Sequence, residues 1–229
     1  MKKDGLIIWR IQLKPIEKER TTQDKIYKQI KKAILFGGIA SDEIFTEVQL
    51  AERLNTSRTP VRAAIQDLVK DGLLVSIPRK GLTVRKITPE EQDEIFLLRS
   101  AIEVESVKKL TQEITTPEQL RLLKLILKQQ EALQNDDAIS FIRLDHDFHL
   151  SLTRLANFTI IEQVLNNLHN LTQLMGLKAV SKHGRMKNVL MEHNQIIQAL
   201  EEKNPELASQ AILNHLEKTK ETLIIVDNS

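Results

Sequence analysis

The chain has 229 residues, of which 41% are hydrophobic but only 3% aromatic, so Leu, Ile, Val and Ala must supply most of any core. It has no cysteine, which excludes a disulfide framework, a Cys-based zinc finger and a thiol nucleophile. The apolar runs, such as Leu6 to Trp9 and Leu223 to Val226, fall far short of the ~20 residues of a membrane span or of a signal-peptide core; the expectation is a soluble, cytoplasmic protein. The net charge of +2 hides an asymmetry: residues 1–88 hold 18 Lys/Arg against 10 Asp/Glu, residues 89–229 hold 15 against 21. A basic first part joined to an acidic second part points to a polyanion met by the first part alone.

Residues 1–20 carry both charge signs without a sustained period and read as an arm. From Thr22, Ile26, Ile30, Ala33 and Ile34 recur at helical spacing, and Gly37-Gly38 ends that helix. Thr46 followed by Gln49 is a capping box, with Phe45 and Leu50 placed for a hydrophobic staple, and this second helix runs to about Leu54. Asn55-Thr56 forms a turn. Ser57 caps a third helix with Pro60 in its first turn. Val61, Ala64, Ile65, Leu68 and Val69 are its core face, and Gly72 stops it. The period then changes to that of a short hairpin: Leu73 to Ile77, a turn over Pro78-Arg79-Lys80-Gly81, and Leu82 to Val84. Helix, helix-turn-helix, hairpin is the order of a winged helix-turn-helix over residues 21–87. Thr88-Pro89-Glu90-Glu91 opens a new helix, and residues 88–229 read as helical throughout, near 89–113, 117–134, 136–156, 158–180, 186–203 and 205–226. Thr116-Pro117-Glu118-Gln119 and Asn204-Pro205 mark two of the starts. The fold class expected is mainly α: a winged helix-turn-helix of three helices and a β-hairpin wing, joined to an all-α antiparallel bundle.

A helix that enters the major groove needs short polar and basic residues at its N-terminal end, where it meets base edges and phosphates. Ser57, Arg58, Thr59 and Arg62 supply them, and the wing tip Arg79, Lys80 and Gly81 is placed for a flanking groove or the backbone. Each residue alone fits a solvated basic helix; the ordered set does not fit it easily. The stretch Leu50-Ala51, Ser57-Arg58-Thr59-Pro60-Val61-Arg62, Ala64 and Asp71-Gly72-Leu73, followed by Gly81, resembles the winged helix of the GntR family. The resemblance covers residues 22–87 and implies a transcription regulator on double-stranded DNA. Two positions depart from the pattern. Val48 stands where a basic residue often follows the glutamate matched by Glu47, and Ala63 stands where Glu is common.

All six histidines lie in the acidic part. Asp145 and His149 share one helix face. His193 precedes Ile196, Ile197 and Leu200 in an apolar stripe, and His215 follows Ala208, Ala211 and Ile212. Four potential ligands aimed inward from three helices suit a metal site in a bundle core, or a set of hydrogen-bonded core histidines, and facing alone does not decide between them. His146 lies about 100° round the helix from that face and reads as solvated; His169 is ambiguous and His183 falls in a loop. The pattern Asp145, Phe148-His149, Glu192-His193 and His215, with Arg99 and Glu103, resembles the FCD ligand-binding domain, the FadR-like branch of GntR regulators, over residues 89–225. The resemblance implies a metal held by Asp145, His149, His193 and His215, with zinc first and nickel, manganese or iron as alternatives. It also implies a small carboxylate effector beside the metal. Arg99 is a candidate to hold that carboxylate, against a helix-surface ion pair with Glu103.

The leading reading is thus a homodimeric regulator, no enzyme, on an operator with two-fold symmetry. A mononuclear metal hydrolase with an attached DNA-binding domain is the competing one. Against it, the sequence holds no HExxH, no Gly-x-Ser-x-Gly and no evident base beside the ligands. A regulator for which the metal itself is the signal is the third.

Overall fold

The computed structural model describes residues 21–35, 38–40, 43–113, 117–132 and 137–227. The first unit contains α1 (Thr22–Leu35), α2 (Glu47–Arg53), α3 (Arg58–Lys70), β1 (Leu74–Ile77) and β2 (Gly81–Val84). Thr46 and Gln49 form the expected capping box at α2, and Phe45 and Leu50 are both buried beside it. Ser57 is the extended residue before α3, but its side chain makes no capping hydrogen bond. Ile26, Ile30 and Ile34 of α1 meet Val61, Ala64, Ile65 and Leu68 of α3 in one core. Val69, expected on that face, is exposed; it lies one residue beyond Leu68, about 100° round the helix.

The strands pair antiparallel, Leu74 with Val84 through Ile77 with Gly81. Phe45 extends the hairpin by exchanging two backbone hydrogen bonds with Leu82, of 3.0 and 2.8 Å. Gly81 is required at that seam. Its φ is +137°, and a Cβ there would stand 2.5 Å from the Phe45 carbonyl oxygen.

The second unit is helical: α4 (Pro89–Glu113), α5 (Pro117–Ala132), α6 (Ala138–Leu155), α7 (Thr159–Asn167), α8 (His169–Val180), α9 (Arg185–Glu201) and α10 (Pro205–Asp227). Thr88 and Glu91 cap α4 reciprocally, at 3.0 and 3.2 Å, and Asn204 caps α10 at 2.9 Å. The Thr116 start lies outside the described residues. The single helix expected over 158–180 is two, α7 and α8, divided at Leu168. The helix expected to open at residue 136 opens at Ala138, capped by Asp137. Leu, Ile and Val with Phe141 and Phe148 fill the bundle core. No helix among the described residues is long and apolar enough to cross a membrane.

The two units meet along α8. Asn170 accepts from Lys31 Nζ at 2.7 Å and donates to the Asp71 carbonyl at 3.3 Å, and Leu174 packs on the core of the first unit. Beside this seam the Tyr27 hydroxyl donates to Asp71. Burial, then the Asp71 carboxylate, raises the Tyr27 pKa well above that of a free phenol.

Candidate functional site

The first helical turn of α3 stands clear of the core: Ser57, Arg58, Thr59 and Arg62 are all exposed. Arg62 makes one loose ion contact, 4.0 Å from Glu47. Arg79 and Lys80 are exposed at the hairpin turn, with Arg79 in the left-handed region at φ 63°. The sequence-predicted DNA-facing residues therefore occupy one helix N-terminus and one wing tip. Both bear cationic side chains without strong competing anions among the described residues, as phosphate and base contacts need.

In the bundle, Asp145 and His149 come from α6, His193 from α9 and His215 from α10. One ligand atom from each falls within 4.8 Å of the others. The three imidazoles are buried and Asp145 is partly open. Behind each ring stands a group that fixes its orientation. Glu103 on α4 receives His149 Nδ1 at 2.6 Å. Glu192 on α9 receives His215 Nδ1 at 2.8 Å. Gln130 on α5 stands 3.0 Å from His193 Nδ1. Each Nδ1 engaged outward leaves the Nε2 directed inward. His149 Nε2 and His215 Nε2 lie 3.1 Å apart, a separation that needs a cation or a shared proton between two lone pairs. His193 Nε2 is buried without a hydrogen-bond partner among the described residues, 3.4 Å from Asp145 Oδ1. Phe148 stacks on the His193 ring with centroids 4.2 Å apart.

The charges follow the same layout. Burial pushes the Glu103 carboxyl up, but the charge of Arg99 and the charge and hydrogen bond of His149 bring it down to about 2. Burial likewise raises Glu192, and the hydrogen bonds from His215 and Arg185 outweigh it, so it falls below the usual carboxylate value. Arg185 grips Glu192 with two nitrogens at 2.7 and 2.9 Å. Burial, then the charge that His215 and His149 would bear if protonated, and then Arg185 and Arg99, push His193 well below the usual imidazole value. Burial also lowers His215, against the pull of Glu192. Both are neutral at pH 7, the form that binds a metal.

A cavity opens beside this cluster, lined among others by Phe96, Arg99, Asp145, His146, Gln173 and Arg185. It is small, ≈ 30 Å³ in volume. Arg99 faces it and also binds Glu103 at 2.7 Å; this pair is buried rather than on the helix surface, because α4 is covered on that side. His146, expected in solvent, also lines the cavity and lies against His169, with ring centroids 4.1 Å apart and planes tilted by 52°. Burial, then the neighbouring His169, lowers its pKa to about 3. His146 is partly kept from solvent because α8, through His169, covers that face. His183 is exposed, in the turn before α9.

Sequence reasoning paired Arg99 with Glu103 and quoted Glu192, but gave neither carboxylate a role behind a histidine. Gln130 and Arg185 carried no signal, since a lone amide and a lone arginine in helices have no distinguishing spacing.

Two family models match the chain. "Bacterial regulatory proteins, gntR family" covers residues 22–84 and the FCD domain covers residues 94–218. The Bacillus subtilis "Uncharacterized HTH-type transcriptional regulator YdhC" is 30% identical over 192 residues, which are 83% of this chain and 86% of that one. The Escherichia coli "HTH-type transcriptional repressor RspR" is 25% identical over 87% of each chain. Among solved structures, a GntR regulator from Rhodococcus sp. RHA1 superposes with a TM-score of 0.70 at 22% identity, covering 88% of this chain and 97% of that one. Escherichia coli McbR/YncC gives 0.69 at 19%, covering 92% and 99%. These likenesses are to transcription regulators, not enzymes. With its exposed recognition helix and wing joined to an FCD bundle, the chain belongs to the GntR family and is a DNA-binding transcription regulator.

Proposed function

We propose that operator binding by this regulator is controlled by a small carboxylate held in the bundle beside a divalent metal. On this reading residues 1–20 are an arm, 21–87 the DNA-binding domain, and 88–229 the effector, metal-binding and dimerisation domain. Ser57, Arg58, Thr59 and Arg62 read the major groove, and Arg79, Lys80 and Gly81 of the wing reach the flanking DNA. The observation that carries the metal reading is the convergence of three Nε2 atoms and a carboxylate on one point, one nitrogen being buried without a partner. An Asp/His₃ set fits zinc first, with nickel, manganese or iron next. When bound, the ion would supply open coordination positions for an anion. Arg99, on the cavity wall, would add charge complementarity to that anion.

The route to DNA is short. Helix α8 lines the cavity with Gln173, Met175 and Gly176, and holds the DNA-binding unit through Asn170 and Leu174. A ligand that shifts α8 by a fraction of an ångström therefore biases the placement of the recognition helix. The dimer contact on this reading would use exposed apolar side chains such as Leu97 on α4, 72% exposed, and Ile160 on α7, 75% exposed. Two copies then read an operator with two-fold symmetry. Cytoplasm is the expected compartment.

The test is elemental analysis with a thermal-shift screen of small organic acids on metal-loaded protein. Wild type should retain about one transition metal per chain. His193→Ala and His215→Ala should lose it, together with acid binding and several degrees of melting temperature, because the metal ties together helices distant in sequence. His183→Ala, in an exposed turn, is the control. Wild type that keeps no metal after desalting overturns the reading.

A further inference from the structure

Gln130 sits on α5, a helix that contributes none of the four converging ligands, yet it is 0% exposed. Its amide touches two of them. Oε1 lies 3.0 Å from His193 Nδ1, and Nε2 lies 3.4 Å from Asp145 Oδ1 and 3.4 Å from the Phe141 carbonyl oxygen. We infer that Gln130 is the positioning residue that fixes the tautomer of His193 and so decides which of its nitrogens faces the centre.

The two ends of the amide differ in what they can bond. An amide oxygen only accepts and an amide nitrogen only donates. Turned the other way round, Gln130 would set its oxygen against a carbonyl oxygen and a carboxylate oxygen, neither of which can donate. The Phe141 carbonyl and Asp145 together therefore hold the NH₂ end, which leaves the oxygen for His193. His193 Nδ1 must then carry the proton. A neutral imidazole carries only one, so Nε2 is a bare lone pair directed at Asp145, His149 and His215. That Nε2 is buried and has no hydrogen-bond partner among the described residues, as a lone pair kept for a metal would be. Phe148, stacked at 17° to the His193 ring, holds the ring plane while the amide selects the proton position.

The same amide also restrains Asp145, the ligand nearest solvent, so ligands from α6 and α9 are referred to a third helix. His149 and His215 have carboxylates behind them instead. At position 130 an ionised carboxylate would stand against Asp145 and offer nothing to the Phe141 carbonyl. A neutral side chain with one acceptor and one donor end satisfies all three neighbours.

The consequence for metal affinity rests on the proposed metal centre; the tautomer does not, and the two are measured separately. In full-length metal-free protein, long-range ¹H–¹⁵N correlation of the histidine rings should report His193 protonated at Nδ1. Gln130→Met, of similar length but without the acceptor and donors, should give a mixed or inverted tautomer. Gln130→Glu should keep the Nδ1–H form, since ionised or protonated it still presents an accepting oxygen to His193. Co²⁺ absorption titrations should then show affinity reduced on the order of 10–100-fold in Gln130→Met and restored towards wild type in Gln130→Glu. A wild-type His193 protonated at Nε2 overturns the inference even if the Met variant does not fold. So does a folded Gln130→Met protein that keeps both tautomer and affinity. If the tautomer follows Gln130 but wild type binds no Co²⁺, the inference stands and the metal reading falls.

Discussion

At the scale of single residues, the six histidines behave according to what packs behind them. His149, His193 and His215 each have a polar partner at Nδ1, whereas the Nε2 of His146 and the Nδ1 of His169 are buried without one. The spacing of Asp145 and His149, and the apolar stripes around His193 and His215, were legible because a helix repeats its faces regularly. The partial burial of His146 was not, because it depends on α8 lying across that face. At the DNA surface the side chains are exposed and load no core, so truncation tests binding without testing the fold. Arg58→Ala and Arg62→Ala should each weaken binding to an operator selected from random duplexes by about 1–3 kcal/mol. Their circular dichroism should match wild type. Unchanged affinity in both folded variants would move the recognition surface elsewhere.

At the scale of elements, caps and glycines were the readable features. The Thr46–Gln49 and Thr88–Glu91 boxes start helices where the sequence says they should, since a cap is a local bond between neighbours in the chain. The break at Leu168 had no such mark. Neither Gly nor Pro stands there, and the residue stays in the right-handed helical region with its N–H shared among Val164, Leu165 and Asn166 carbonyls. Where α8 crosses α6 the fit is close: a Cβ on Gly176 would lie 3.0 and 3.1 Å from two Ile142 side-chain atoms. Gly176→Val should therefore destabilise the protein by about 1–3 kcal/mol through overpacking, read by urea unfolding. Adding Ile142→Ala should recover part of that loss. If the double variant is no more stable than Gly176→Val, the two helices are not in register at this point.

At the scale of the whole molecule, the excess of basic side chains lies ahead of α4 and the excess of acidic ones from α4 onward. The basic unit carries the exposed recognition helix and the acidic unit the buried ion pairs, an asymmetry legible from composition alone. How the two units pack was not legible, because Lys31, Asp71 and Asn170 are ordinary polar residues until α8 brings them together. With several phosphate contacts, log affinity should fall against log salt with a slope of about −0.9 per contact, measured by fluorescence anisotropy. A fragment of residues 89–229 should bind no operator at any of these salt concentrations; binding by that fragment would place the DNA contacts in the bundle.

The hydrogen bond from Tyr27 to Asp71 gives the molecule an optical reporter of its own. Tyr27 is the only tyrosine and Trp9 the only tryptophan, so residues 89–229 contain neither chromophore. A phenol held by a carboxylate emits weakly, because the acceptor draws its proton in the excited state, and Asp71 is also the residue whose carbonyl receives Asn170. In a chain with Trp9 replaced by Phe, tyrosine emission thus arises from one ring, at the joint between the two units. A change at that joint that also breaks the Tyr27–Asp71 bond brightens it, while rearrangement within the bundle alone leaves it dark, and no external label is needed to tell the two apart.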